Sequence, residues 1–448
     1  MNLAGIHNVY FVGIGGIGMS NLARYFFLNG KNVAGYDKTP SDITDALQEL
    51  GVTICFSDAM TEVSAEFLDA ATTLVVYTPA VPQSHEQLQY FLKHNFEVKK
   101  RAAVLGAITK DTFCFAVAGT HGKTTTTAIL GHLLKESGVP MTAFLGGISE
   151  NYNTNFISTG TEMSVVEADE YDRSFLNLHP DVACITSMEA DHLDIYENEE
   201  GIVTSFKDFV AQLKPNGKLY IKNGVPLQGI TYGIEDDSDY CIKNITIENG
   251  TYCFDVATPT NTIEGVQFNK PGKHNLLNAL AAFTMAINSG TPTDRLVSAL
   301  STFKGVRRRF SYHIQTEELV FVDDYAHHPT EIDALHQAVR EMYPDKKVTA
   351  VFQPHLYSRT RDFAKAFGSA LAQFDEIILL DIYPARELPI EGVTSEWLLS
   401  LIDNTAKKLM SKEALLAYLK VNKPEVLITV GAGDIGNEVA KIKEVLLA

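Results

Sequence analysis

The residues best suited to chemistry stand together in Gly119-Thr120-His121-Gly122-Lys123-Thr124-Thr125-Thr126. A glycine turn before G-K-T lets backbone amides converge on phosphate oxygens at the positive end of a helix. In such a turn Lys123 neutralises the β- and γ-phosphates, and the Thr124 hydroxyl is placed to hold Mg²⁺. The spacing here is the short G-x-x-G-K-T; Val117 stands where the longer phosphate loop has its first glycine. An exposed lysine beside a glycine turn is the plain alternative. The apolar run Phe113-Cys114-Phe115-Ala116-Val117-Ala118 before it and the helical pattern Ala128 to Lys135 after it favour a phosphate loop.

Two acidic clusters follow. Val165-Val166-Glu167-Ala168-Asp169-Glu170 ends one apolar run, and Ile185-Thr186-Ser187-Met188-Glu189-Ala190-Asp191-His192 ends another. In a parallel sheet the C-terminal strand ends line the ligand crevice, so both clusters should face the phosphate loop. Carboxylate oxygens and an imidazole suit a hard or borderline divalent ion such as Mg²⁺. A third motif lies earlier. Gly13-Ile14-Gly15-Gly16-Ile17-Gly18 fits G-x-G-x-x-G, with Asp37 at the end of the next apolar run. That pattern predicts a pyrophosphate at a helix start, without separating NAD from a nucleotide-diphosphate sugar.

These motifs must be held by alternating short apolar runs and amphipathic stretches, which read as α/β with parallel sheets. Three blocks can be separated, at about residues 1–108, 109–315 and 316–448. The first has strands at His7 to Val12, Asn32 to Tyr36 and Thr73 to Tyr77, with a helix running to Asn29 and stopped by Gly30. In the second, Gly217 to Glu264 reads as short strands with many turn residues, an antiparallel insert. The third has strands at Leu319 to Val322, Val348 to Phe352, Glu376 to Leu380 and Val426 to Val430.

Composition sets the class. Apolar residues make up 45% of the 448 residues and charged residues 21%, as in an ordinary globular protein. The formal charge of −18 argues against a nucleic-acid partner. No apolar run approaches bilayer length and the first ten residues do not read as a signal peptide, so no membrane role and a cytoplasmic location are expected. Five cysteines with no C-x-x-C spacing predict reduced thiols, not a disulfide or zinc framework.

In order along the chain, GIGGIGMS, GTHGKTTTT, EADE, EADH, GKHNLLNA, DDYAHHPTE, FQPHLYSRTRD and GAGDI resemble the Mur ligases of cell-wall synthesis, over residues 7 to 435. The resemblance implies three domains: an N-terminal Rossmann-like UDP-sugar domain, a central P-loop ATPase domain and a C-terminal Rossmann-like domain. It implies ATP-dependent joining of a carboxylate to an amine through an acyl phosphate. GIGGIGMS and DDYAHHPTE look most like the branch that adds L-alanine to UDP-N-acetylmuramate. The branch that attaches a recycled tripeptide is the alternative.

Residue by residue, the resemblance implies catalytic roles for Lys123, Glu170, His192 and His328. Two Mg²⁺ ions are implied, with Thr124 and Glu167 on one and His192 on the other. ATP contacts fall on Gly119, Thr120, His121, Gly122, Lys123, Thr124 and Thr125, with Asn275 and Asn278 at adenine and Arg309 and Asp324 from the third block. The UDP-sugar contacts are Gly15, Gly16, Ile17, Gly18, Met19, Ser20, Asp37, Thr78 and Arg101. The amino-acid contacts are His327, His328, Arg359 and Arg361.

Four positions depart from the family pattern: Tyr171 stands for serine, Ser187 for asparagine, Leu356 for arginine and Arg386 for glycine. Some relatives carry a carbamylated lysine that helps hold the second metal; the candidate position here, Lys207, is read as an ordinary surface lysine because the alanine-adding branch usually lacks that feature. Other classes fit less well. A dehydrogenase leaves GTHGKTTTT without a task, and a non-catalytic nucleotide sensor leaves the acidic clusters without one.

Overall fold

The computed structural model describes residues 3–189, 199–248, 250–385 and 387–448. They form two compact units. The first comprises Met1–Asn244, Phe254–Val266 and Leu277–Phe303; the second comprises Ile245–Cys253, Gln267–Leu276 and Lys304–Ala448.

The first unit opens with β1 (Asn8–Val12), β2 (Asn32–Tyr36), β3 (Thr53–Cys55), β4 (Thr73–Tyr77) and β5 (Glu97–Lys100). They form one parallel sheet in the order β3-β2-β1-β4-β5. β1 is central and buried on both faces, which explains its unbroken apolar run. Chain order reverses beside β1, so the turn after it opens into the crevice where ligands bind such sheets. The helix Ile17–Leu28 follows, with Asn29 as its C-cap, as the sequence pattern predicts.

A second sheet holds β6 (Phe113–Ala118), β7 (Met141–Ser149), β8 (Thr154–Ser158), β9 (Met163–Glu167), β10 (Val182–Ile185), β11 (Lys218–Lys222), β12 (Ile230–Ile234), β13 (Tyr240–Glu248), β14 (Thr251–Ala257) and β15 (Thr262–Phe268). Its order is β15-β14-β13-β12-β11-β10-β6-β9-β7-β8. β6 pairs in parallel with β9 and β10, with Val117 opposite Glu167 and Ala118 opposite Ile185. That register brings the ends of three strands to one edge, and each carries a motif. Over β11 to β13 the stretch expected to be an antiparallel insert instead continues this sheet in one direction: β10, β11, β12 and β13 are all parallel. Turn residues between short strands looked like hairpins, yet the chain crosses back and re-enters in the same direction.

One apolar cluster joins the two sheets of this unit, running from Phe11 and Phe26 to Phe144, Phe156 and Ile185. The Tyr25 and Phe144 rings meet at 5.6 Å between centroids. Such aromatic pairs add about 1 kcal/mol beyond the burial itself.

The second unit is built on β16 (Ser311–Gln315), β17 (Val320–Asp324), β18 (Val348–Phe352), β19 (Glu376–Leu379), β20 (Lys407–Leu409) and β21 (Val426–Val430), in the order β16-β17-β21-β18-β19-β20. All pairs are parallel except the antiparallel edge β16 on β17. The sequence reading missed β16 and β20, whose residues carry too little apolar patterning for a strand.

Candidate active site

The loop between β6 and the helix Lys123–Glu136 carries the site. Gly119 and Gly122 sit at φ of +132° and +83°, which only glycine adopts without strain. A Cβ on Gly119 would fall 2.1 Å from Thr186 Oγ1, so the loop is pressed onto the end of β10. Ser187 clamps it there. The Ser187 Oγ accepts the His121 N–H at 2.9 Å and lies 2.8 Å from Thr120 Oγ1, which in turn accepts the Glu189 N–H at 3.1 Å. Thr186 Oγ1 donates to the His121 carbonyl in a short bond.

Lys123 folds back over the loop. Its Nζ donates to the Gly119 carbonyl at 2.7 Å and to both Glu170 oxygens at 3.0 and 2.8 Å. Burial disfavours its charge, yet Glu170, Asp169 and Glu167 together hold the ammonium above its ordinary pKa. Glu170 is 1% exposed, so removing it would leave a buried cation at a cost of roughly 3–5 kcal/mol. Thr124 Oγ1 meets both Glu167 oxygens at 3.1 and 3.0 Å. A hydroxyl and a carboxylate converging in this way form the oxygen donor set that Mg²⁺ takes. Gly146 closes the other side: a Cβ there would lie 1.9 Å from Glu167 Oε2. Asn278 packs at the loop's base, its Oδ1 accepting from Thr126 Oγ1 at 3.2 Å. Thr125 is buried in the first turn of the helix.

The second glycine loop has a different character. The Gly15 N–H donates to Asp37 Oδ2 at 2.7 Å. A Cβ on Gly15 would come within 2.8 Å of that oxygen, so the carboxylate and the turn fit only around glycine. Gly16 caps the helix that begins at Ile17, and Met19 and Ser20 are buried in its first turn. Arg101 lies along Gly18, 3.0 Å from where a Cβ would be, and Thr78 flanks Gly13. The structure thus gathers all nine predicted residues of this loop around one helix start.

In the second unit, Asp324 accepts the Phe310 and Ala326 N–H groups, each at 2.7 Å. Burial pushes its pKa up to about 6, against the pull of Arg309. Arg309 lies over the Tyr325 ring and 3.8 Å from Glu331. Glu331 also accepts the His327 N–H at 2.9 Å. His328 caps the helix Pro329–Met342 through its Nδ1 and packs edge-on against Phe363, so its position serves to hold the loop. Asn275 donates to the Pro271 carbonyl at 2.6 Å. Arg359 faces His355 at 3.5 Å, whereas Arg361 is exposed and pairs with its neighbour Asp362 at 2.7 Å. Two positions apart on a helix, they point to different sides. Leu356, just before them, sits at φ +71°, a conformation that costs a leucine on the order of 1–3 kcal/mol.

His192 and Arg386 lie outside the described residues. Lys207 is exposed on the helix Glu199–Val210. Sequence reasoning noted Ser187 as a departure from the family pattern without seeing it as a clamp, and missed Gly146 as a wedge, since Gly146 belongs to no recognisable motif. No helix among the described residues is long and apolar enough to cross a membrane.

Comparison with known proteins matches this geometry. Residues 8–112 match the model of the Mur ligase family catalytic domain, residues 117–286 the Mur ligase middle domain, and residues 308–433 the Mur ligase glutamate ligase domain. The chain is 59% identical over 446 residues to a UDP-N-acetylmuramate–L-alanine ligase of Flavobacterium psychrophilum, covering 100% of this chain and 99% of that one. It is 48% identical to the protein of that name from Cytophaga hutchinsonii, covering 99% of this chain and 97% of that one. Among solved structures, the UDP-N-acetylmuramate-alanine ligase of Thermotoga maritima superposes with a TM-score of 0.80 at 27% identity, covering 98% of each chain. A murein peptide ligase from Psychrobacter arcticus shares the fold, with a TM-score of 0.68 at 22% identity and 98% of each chain covered. With three family domains in order and relatives this similar along the whole chain, the protein belongs to the Mur ligase family.

Proposed function

We propose that the chain joins L-alanine to UDP-N-acetylmuramate at the expense of ATP, through an acyl phosphate, in peptidoglycan precursor synthesis. The observation that carries this is the Lys123–Glu170 and Thr124–Glu167 arrangement at the end of a parallel sheet, in a chain 59% identical to a ligase of that name. The closer similarity to L-alanine-adding relatives than to the murein peptide ligase favours this branch over tripeptide attachment.

The chemical problem is electrostatic. An anionic carboxylate must approach an anionic phosphate, and oxide is too poor a leaving group for direct amide formation. Loop amides and Lys123 hold the β- and γ-phosphates and offset that repulsion. Thr124 and Glu167 would hold Mg²⁺, which supplies further positive charge to the phosphate oxygens when bound. A second ion held by His192 belongs to the same reading. Glu170 keeps Lys123 charged and aimed across the loop. The substrate carboxylate attacks the γ-phosphorus, ADP leaves, the alanine amine attacks the acyl carbon, and phosphate leaves.

Gly15 to Ser20, Thr78 and Arg101 fit the diphosphate of the sugar nucleotide, and the Asp37 carboxylate fits one of its hydroxyls. Asn275, Asn278, Arg309 and Asp324 are the proposed nucleotide contacts, and His327, His328 and Arg359 stand nearest in role to the amino acid. Arg361, exposed and paired with Asp362, is the weakest member of that set. The domain boundaries we infer lie near residues 108 and 315, and the protein works in the cytoplasm. Purified protein given ATP, Mg²⁺ and UDP-N-acetylmuramate should release phosphate with L-alanine and not with the recycled tripeptide. Release with tripeptide alone would move the chain to the other branch, and release with neither would remove the proposed reaction.

A further inference from the structure

The two loops of the first unit are bridged by a strand segment that neither motif contains, buried at Leu145 and open at Gly146. Past Phe144, β7 leaves its partners: its pairing with β9 ends at Phe144–Val166, and its register with β8 shifts between Phe144 and Ser149. The stretch from Leu145 onward is therefore not held by a regular ladder. On one side it meets the first loop's helix, where Asn21, 3% exposed, donates from Nδ2 to the Leu145 carbonyl at 2.9 Å. On the other side the next residue, Gly146, lies against Glu167 and Thr124, with room for no Cβ between them. Asn155, 2% exposed, reinforces the junction by donating to the Ile17 carbonyl and to Ser20 Oγ, both at 2.9 Å.

A buried amide in an apolar junction is costly unless its hydrogen bonds do something an apolar side chain would not. Asn21 Oδ1 has no hydrogen-bond partner among the described residues, so the side chain is not there to complete a polar network. Its donor reaches a single acceptor, on the segment that backs the metal carboxylate.

We propose that Asn21 is a positioning residue that couples the two loops. It links the helix of the sugar-nucleotide loop to the Leu145–Gly146 segment, so that occupancy of the first loop sets the Thr124–Glu167 geometry at the second. This rests on the functional reading above. When the diphosphate binds the helix start at Ile17, any shift of that helix is passed by Asn21 to the Leu145 carbonyl and so to Gly146 and Glu167. The consequence is that the phosphate loop, which binds ATP by itself, holds it more tightly when the acceptor is bound, and the acceptor likewise when ATP is bound.

The test is calorimetric titration of full-length protein with a non-hydrolysable ATP analogue and Mg²⁺, with and without saturating UDP-N-acetylmuramate, in wild type and Asn21→Leu. Wild type should bind the analogue at least about fivefold more tightly when the sugar nucleotide is present, and Asn21→Leu should lose that gain while binding each ligand alone as wild type does. A merely structural role for Asn21 would lower the melting temperature instead. Hydrogen exchange gives a second reading: sugar nucleotide should slow exchange at residues 145–149 in wild type. Equal coupling in both proteins, or no coupling and no slowing in wild type while each ligand binds singly, overturns the inference and leaves the function standing. Failure of either ligand to bind alone overturns both. Should Asn21→Leu not fold, absence of slowing in wild type is by itself decisive against the proposal.

Discussion

The loops Gly13–Ser20 and Gly119–Thr126 are built alike and equipped differently. Each follows a buried strand flanked on both sides by parallel neighbours and opens a helix. The first carries no charged residue of its own, and one of its amides is already engaged by Asp37 at 2.7 Å. The second carries Lys123 and faces Glu167, Asp169 and Glu170. A glycine turn at a helix start is enough to seat a diphosphate. Moving a phosphoryl group needs preorganised positive charge and a place for metal, and of the two loops the second offers a candidate for each. On the proposed reaction, the comparison separates a loop that would hold from a loop that would react.

Substitutions can break that separation. The largest effect is expected for Lys123→Ala, which should lower the rate of phosphate release by about 10³-fold or more with the sugar-nucleotide affinity unchanged. Steady-state release and direct binding together check both halves. Gly146→Ala should come next. Its methyl would displace Glu167, and a shift of about 1 Å at a reacting centre costs about 100-fold in rate, here with a higher Mg²⁺ requirement. A magnesium titration of the rate measures it. If Gly146→Ala behaved as wild type, the Thr124–Glu167 pair would not be the metal site.

Gly15→Ala probes the holding loop. The added methyl meets Asp37, and KM for UDP-N-acetylmuramate should rise about tenfold with kcat nearly constant, the pattern of a lost binding contact. A fall in kcat of the same size would mean that the first loop also acts in the chemical step. Ser187→Ala removes the clamp on His121 and Thr120, and a lost hydrogen bond of about 1 kcal/mol corresponds to a roughly fivefold rise in KM for ATP. Asparagine at the same position, able to accept the same N–H, should restore most of the affinity.

Glu376 in the second unit gives a control remote in sequence from both loops. Burial favours its neutral form, but hydrogen bonds from Lys408, Tyr418 and Lys347 hold its pKa down to about 2, below its ordinary 4.5. A depressed carboxylate contributes stability that is present above the unfolded value and lost as pH falls from about 4.5 toward 2. Glu376→Gln should therefore lower stability at neutral pH and flatten its decline across that window, with both loops' kinetics intact. Thermal melts from pH 7 to pH 2.5 would show it.

Much of this was legible in the residues. β2, β4 and β6 ended where the apolar runs end, because buried parallel strands are continuous apolar stretches bounded by turns. The phosphate loop was legible because glycine, lysine and threonine at fixed spacing have few other uses. What was not legible depends on the register between distant strands. Ser187 meets Thr120 only because β10 lies beside β6, and Gly146 meets Glu167 only because β7 lies beside β9. The β11–β13 stretch was misread because turn composition does not say which way a strand returns. That His328 caps a helix was not legible, since capping is decided by backbone geometry.

The most direct test of the division between holding and reacting follows one oxygen atom. UDP-N-acetylmuramate labelled with ¹⁸O in its carboxylate is incubated with wild-type protein, ATP, Mg²⁺ and L-alanine, and the released phosphate is analysed by mass. Attack of the carboxylate on the γ-phosphorus at the Lys123 loop, then of the amine on the acyl carbon, leaves one labelled oxygen in each phosphate formed from fully labelled substrate. Unlabelled phosphate accompanying amide formation would contradict the acyl-phosphate route and with it the role assigned to that loop.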